Sequence, residues 1–576
     1  MNRLSALDSL FLYLETSETP MHVASLTIFQ PEAPRDDFFA RFRAHTAARL
    51  DLLPSYRRRL KPTPLGIDHP AWVIENKLDL DHHIRHEALP KPGSMAELRA
   101  LVAELHALPL DRARPLWQYH FIEGLEGGAF AVYVKVHHAA MDGVAGMATL
   151  GVVYDFSPED EHLAAARSTV SADIEPSDAI ELTSTALGDF VRQGWRAVKS
   201  LPRAAADLTR IAPNLSRDAR FLFGYVKDMP RTPFNATITA ERVYATCSLP
   251  LADVKALAKS RAVTINDVVL ALSAGALRRY LIERGTLPKK TLTAAMPASL
   301  RPMGDAKLNN QVVFTLSRLP TDVSEPLPRL MAAQAAAQAA KNLFADLRNF
   351  SATDISLPGA PIVVTALGRL WAGARAANYL RPAFNVIVSN VPGPRRPMYC
   401  VGAPATHYFP VSIPFHGCAL NVTVQSYCDC LDFGLIASRD IAPDVQRIAD
   451  FVAEDFAALR KADVELARPE AIESIAVAPR SRPSVHPPIA LAEPLPVVRR
   501  GSGRIKADEP RVSGLARNIE ALGAATEALQ RRLETQRAPA KPEAPVAPAR
   551  RRAPQKKRAA APGRRRKGAT PEGSGA

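Results

Sequence analysis

Cysteine is scarce in this chain, with five residues (Cys247, Cys400, Cys418, Cys428 and Cys430) in 576. A number that is small and odd excludes a disulfide framework and suits a reducing, cytoplasmic compartment. Cys428-x-Cys430 lacks the two- to four-residue gap of a zinc knuckle, so it predicts two thiols on one strand face and no metal. Long apolar runs are missing as well, and Met1 to Leu14 holds no apolar stretch behind a basic start. Neither a membrane-spanning helix nor a signal peptide is expected. There is no Gly-x-Ser-x-Gly elbow, which excludes the usual serine-hydrolase machinery. Acidic residues thin out towards the end: from Arg468 onward 23 Lys and Arg face 10 Asp and Glu, a net +13, while residues 1–467 carry +2. The basic character belongs to a tail and not to the body.

The body contains a strand that ends in two histidines. Phe130, Val132, Val134 and Val136 alternate with Ala131, Tyr133 and Lys135, the period of a strand with one buried face, and the run breaks at His137-His138. Successive strand side chains point to opposite faces, so one imidazole faces a cavity and the other the scaffold. Asp142 precedes the small-residue run Gly143 to Met147 from an N-cap-like position. Imidazole titrates near pH ~6.5 and is the usual general base at neutral pH, which suits removal of a proton from a hydroxyl or amine. A second pair, His82-His83, lacks a following Asp-Gly and is expected to be structural.

His137-His138-x-x-x-Asp142-Gly143 resembles the motif of CoA-dependent acyltransferases and of peptide-synthetase condensation domains. Glu15 with Pro20-Met21-His22-Val23, and Pro115-Leu116-Trp117, make the resemblance specific. Downstream follow Pro233-Phe234-Asn235, Asn266-Asp267-Val268, Pro297-Ala298-Ser299-Leu300-Arg301 and Ser389-Asn390-Val391-Pro392-Gly393-Pro394. In that order, over roughly residues 3–460, the chain is similar to the bacterial wax ester synthase/diacylglycerol acyltransferase family. One departure is Asn309-Asn310-Gln311, where the family has a Gly-Asn pair.

The alternation of strand and helix patterns indicates an α/β protein of two similar halves. The resemblance implies two chloramphenicol-acetyltransferase-like (condensation-domain-like) domains with the histidine motif at their interface. The expected divisions are an N-terminal acyltransferase domain over 1–156, a connecting helical region over 157–232, a C-terminal acyltransferase-like domain over 233–467, and a disordered Pro/Ala/Arg/Lys-rich tail over 468–576. In the connector, Leu187, Phe190, Val191, Trp195, Val198 and Leu201 fall at helical spacing beside Arg192, Arg196 and Lys199, a basic amphipathic helix for the body or for a membrane surface. The tail's low hydrophobicity signals disorder, except for a short helix expected near 511–536.

The resemblance implies an acyl-CoA-dependent O-acyltransferase that makes triacylglycerol from diacylglycerol, wax esters from long-chain alcohols, or both. Acyl-CoA is a co-substrate, and no cofactor or metal is expected. His138 is expected as general base, His137 as its support one layer back, Asp142 as a structural, orienting residue with Arg301 as its partner, and Gly143 where a Cβ would crowd the turn or channel. Asn266 is expected either to cap a helix or to border the channel, and Ser389 and Asn390 to fix a loop crossing between domains. The expected location is peripheral to the inner membrane or lipid inclusions, the tail contacting an anionic surface or nucleic acid. The competing readings are a condensation-type enzyme with a carrier-bound donor, and a tether whose acyltransferase body is degenerate.

Overall fold

The computed structural model describes residues 2–466 other than 34, 51–52, 64–68, 141–149, 151–152, 159–228, 300–311, 349–364, 366–367 and 369. Period-two patterns become strands in three sheets. A small one joins β1 (Asn2–Arg3), β3 (Arg58–Lys61) and β4 (Ala71–Ile74). A six-stranded sheet takes β2 (His22–Phe29), β5 (Ile84–Ala88), β6 (Trp117–Glu123), β7 (Phe130–His137), β12 (Tyr399–Cys400) and β13 (Ala403–Val411), in the order β12-β13-β2-β7-β6-β5. The other six-stranded sheet takes β8 (Arg242–Pro250), β9 (Leu292–Ser299), β10 (Val312–Leu319), β11 (Val386–Val391), β14 (Leu420–Tyr427) and β15 (Cys430–Ser438), in the order β10-β9-β11-β14-β15-β8. The α/β class and the paired halves agree with the expectation. The halves are nevertheless not contiguous in sequence, because β12 and β13, from the second half of the chain, complete the sheet of the first.

Helices cover these sheets. In the first half they are α1 (Ala6–Leu14), α2 (Phe38–Arg49), the short α3 (Leu80–His83) and α4 (Met95–Ala107); in the second, α5 (Leu251–Ser260), α6 (Ile265–Glu283), α7 (Pro326–Arg348) and α8 (Val445–Leu466). Capping fixes their starts. Ser94 and Glu97 form a reciprocal capping box on α4, and Thr264 and Asp267 form one on α6. The cap of α6 is therefore Thr264, and Asn266 lies inside the first turn, which corrects the capping alternative for Asn266. Its neighbour Asp267 supplies the carboxylate that an N-terminal amide and hydroxyl require.

Three further expectations are corrected. β7 is buried on both faces, because α4 lies against the side that carries Ala131 and Tyr133. The strand read over Phe384 to Ser389 is β11, but it runs on through Asn390 and Val391: Ser389 pairs in parallel with Thr423 and Asn390 with Val424, so the irregular loop begins only at Pro392. Cys428 occupies the turn of the β14–β15 hairpin with φ 46°, so only Cys430 is a strand residue. The basic amphipathic helix at 187–201, the Asn309-Asn310 departure and the tail with its 511–536 helix lie outside the described residues.

Candidate active site

β2 and β7 pair antiparallel with His22 opposite His137. The pairing continues one step past the strand, where the His138 amide donates to the Met21 carbonyl at 2.9 Å, and the Leu116 carbonyl receives the His137 amide at 3.0 Å. Met21 and Leu116 belong to the Pro-Met-His and Pro-Leu-Trp motifs, so both hold the histidine pair through the main chain. Trp117 is fixed in turn by its indole N–H donating to the Tyr56 carbonyl at 2.8 Å.

His137 is fully buried, and each of its ring nitrogens has a neighbour. Nδ1 accepts the Ala139 amide at 3.0 Å. A main-chain N–H can only donate, so the ring proton of a neutral imidazole must sit on Nε2. That nitrogen faces Glu15 Oε1 across 3.3 Å. The same carboxylate oxygen accepts the Met21 amide at 3.0 Å, and Oε2 takes Arg112 through Nε at 2.9 Å and Nη2 at 2.7 Å. Burial alone would raise the Glu15 carboxyl; the hydrogen bond and charge of His137, Arg112 and the Met21 amide outweigh it and bring it down to about 2. Glu15 is thus a carboxylate throughout the neutral range.

The His138 ring points elsewhere. It is half-buried and stacks on Phe11 of α1, with centroids 4.1 Å apart and planes 11° apart. The two histidines occupy unlike environments: one is locked between an amide and a carboxylate, the other lies against an aromatic face.

Behind them the second face of β7 is wired with buried nitrogen. Lys135 Nζ donates to the carbonyls of Leu105 and Leu108 at 2.9 Å each, a cation at the open end of α4, and burial lowers it to about 8. Burial brings His106 to about 3 and holds His22 well below its ordinary value. His22 Nε2 meets the His106 carbonyl at 2.9 Å, and His106 meets the Tyr133 hydroxyl at 2.7 Å and the Ser412 carbonyl at 2.8 Å. The other pair behaves as expected of a structural one, since His83 stacks on Trp117 and its Nδ1 meets the Trp117 carbonyl at 2.8 Å.

Of the residues expected at the site, His137 and His138 are brought together with Glu15, while Asp142, Gly143 and Arg301 lie outside the described residues. Asn266, Ser389 and Asn390 belong to the second half's helix and sheet. Asn235 of Pro-Phe-Asn is a buried clamp: its Nδ2 donates to the Phe384 and Gly417 carbonyls, and its Oδ1 accepts from Thr232 and Asn385. Sequence reasoning missed Phe11, whose helical spacing reads as core, and Arg112, which nothing separates from Arg114 in the same run. Among the described residues one group could hold a metal, His407, Cys430 and Asp432, with ligand atoms within 4.8 Å of one another. The Asp432 carboxylate there is already satisfied by the Tyr408 amide at 2.8 Å and His407 Nδ1 at 3.2 Å.

Comparison with known proteins shows the family of the chain. Residues 4–269 match the wax ester synthase/diacylglycerol acyltransferase catalytic domain, and residues 308–460 match the C-terminal domain of the same family. Two proteins of Mycobacterium tuberculosis H37Rv that carry the name diacylglycerol O-acyltransferase are 35% identical over 451 residues and 36% identical over 465. The alignments cover 76% and 80% of this chain and 92% and 99% of theirs. The solved wax ester synthase/diacylglycerol acyltransferase of Marinobacter aquaeolei VT8 is 32% identical, with a TM-score of 0.58 over 80% of this chain and 100% of that one. With both domains matched in order, this chain is an acyltransferase that belongs to the wax ester synthase/diacylglycerol acyltransferase family.

Proposed function

We propose that the enzyme transfers an acyl group from acyl-CoA to the hydroxyl of a diacylglycerol or a long-chain alcohol, with His138 as general base. The observation that carries this reading is the occupation of His137. One of its nitrogens accepts an amide and the other faces Glu15, which leaves no lone pair for a substrate proton. His138 takes the proton of the acceptor hydroxyl as its oxygen attacks the thioester carbonyl. The tetrahedral intermediate collapses, the carbon–sulfur bond breaks, and the proton passes to the departing CoA thiolate. His137 and Glu15 position the backbone that presents His138, and the roles read from the sequence for Asp142, Gly143 and Arg301 fall outside the described residues.

No acyl-enzyme forms in this scheme. Its support includes the Cys247 and Cys418 thiols, which burial pushes up to about 12 and so keeps protonated and unreactive. The enzyme works at the periphery of a membrane or lipid inclusion, with the basic residues after 467 drawn to polyanionic surfaces, nucleic acid included. No described helix is long and apolar enough to cross a membrane. The test is an initial-rate assay with radiolabelled acyl-CoA against both acceptors. Intersecting double-reciprocal lines are expected, and parallel lines or an acylated cysteine in the mass spectrum would overturn the mechanism.

A further inference from the structure

α1 has two working sides. Phe11 stacks on His138 and Leu12 is buried, while Leu10 and Leu14, one turn apart, are 36% and 38% exposed. Beside Leu14 runs a second segment, close enough that a Cβ on Gly368 would stand 3.5 Å from the Leu14 side chain. That segment exposes Leu370, Trp371, Tyr379 and Leu380, Tyr379 by 80% and Leu370 by 65%. The backbone beneath is held firmly. Arg231 donates to the carbonyls of Ala377 and Leu380 at 2.9 and 2.6 Å, and Asn378 Oδ1 accepts the Thr237 amide at 2.7 Å.

Scattered exposed leucines are ordinary, but six large apolar or aromatic side chains exposed on two adjoining segments are more than scatter. The second of these segments carries charge of one sign along the sequence. Residues 355–428 contain five arginines (369, 375, 381, 395 and 396) and no Asp, Glu or Lys. Tryptophan, tyrosine and leucine with arginine among them are the composition of a surface that sits in the headgroup region of an anionic bilayer.

We propose that Leu10, Leu14, Leu370, Trp371, Tyr379 and Leu380 form the face that docks the enzyme on an anionic lipid surface. Because α1 links this face to the ring of His138, the acceptor passes from the lipid to the base along the helix without crossing water. The role in delivery rests on the reading of His138 as base and of the acceptor as a lipid; the docking itself does not.

The test uses the full chain and phosphatidylcholine vesicles containing phosphatidylglycerol and diacylglycerol, in flotation at low and at half-molar salt. At half-molar salt the screening length is about 4 Å, so attraction of the basic tail is suppressed while apolar insertion persists. Leu370→Ser with Trp371→Ser should weaken the salt-resistant partitioning about tenfold or more, and Tyr379→Ser with Leu380→Ser should do so independently. Both variants should keep the wild-type rate on a short, water-soluble alcohol and lose rate on vesicle-borne acceptor. Folding is checked by circular dichroism, and the second pair decides if the first does not fold. Wild-type flotation by either folded variant overturns the proposal. So does a wild-type dimer that the substitutions convert to monomer in light scattering, since the patch would then be a contact between copies. If no acceptor is acylated by the wild type but the variants still lose flotation, the proposed reaction falls and the docking face stands.

Discussion

The two six-stranded sheets differ in what they bury. The sheet of β7 encloses His22, His106, His120, Lys135 and His137, four imidazoles and one amine. The sheet of β14 and β15 encloses Asn421, Thr423, Gln425 and Ser438 among Val422, Val424, Leu431, Leu435 and Ala437, and its buried charged groups among the described residues are Asp432 of β15 and Arg242 of β8. Its main ionic feature lies in the helical layer, where Arg329 of α7 and Asp455 of α8 meet at 2.9 Å with both side chains buried. Gly275 of α6 makes room for that pair, since a Cβ there would stand 1.6 Å from Asp455 Oδ2. The lesson is a division of labour: one half buries and orients imidazoles, and the other is a largely apolar frame that also buries the Arg329–Asp455 ion pair.

The largest test of this difference is His138→Ala, which should lower kcat by about 10²–10⁴-fold, while Asn235→Ala in the frame should lower stability and leave the turnover of the folded fraction intact. Steady-state rates on protein quantified for folded fraction would separate the two, and near-normal turnover by folded His138→Ala would end the assignment. Next in size is Arg329→Met. It strands a carboxyl that burial already raises, and it should cost about 3–5 kcal/mol in urea unfolding with no effect on substrate affinity.

Acid should then act mainly on the first half. Burial lowers His106 to about 3 and His83 and His120 to about 4. As the pH falls from about 6.5, the unfolded chain takes up protons that the folded chain refuses, so stability drops through that window by on the order of 2–3 kcal/mol per group. Hydrogen exchange, corrected for its intrinsic pH dependence, should show β2, β6 and β7 losing protection between pH 6.5 and 4 before β9, β11 and β14. Simultaneous loss would mean that the sheets open as one. The smallest effect is that of Glu15→Gln, which removes a charged acceptor from Arg112 and Met21. A loss of about tenfold in kcat is expected from a charged hydrogen bond worth about 1.5 kcal/mol. Because the Glu15 carboxyl sits at about 2, the acid limb of the rate profile belongs to another group and should not move in this variant. A limb that shifts would make Glu15 a titrating participant.

Most of the elements in the body were legible in the chain. The periodicities over Phe38 to Leu50, Leu292 to Pro297 and Leu420 to Tyr427 correspond to α2, β9 and β14 within a few residues. The histidine motif announced its chemistry, and Glu15 stood out with it, though without a role. β13 went unread: Pro404, Thr406 and Pro410 disguise its pattern, and its partner β2 lies almost 400 residues away. Of Ser389 and Asn390, only Asn390 was misplaced, because the two prolines and glycine that follow made it look like the start of the loop, whereas the strand read over Phe384 to Ser389 is β11.

By itself the sequence determined the elements, the family and the two histidines, because backbone period and local motif are short-range properties. That both ring nitrogens of His137 stand against protein neighbours was decided only by tertiary structure. Glu15 and His137 are 122 positions apart, and the contact exists because β2 and β7 pair in the register that sets His22 against His137. The same holds for Phe11 under His138 and for Leu14 beside Gly368. Each depends on distant segments packing side by side, and side-chain parity along a strand cannot specify that.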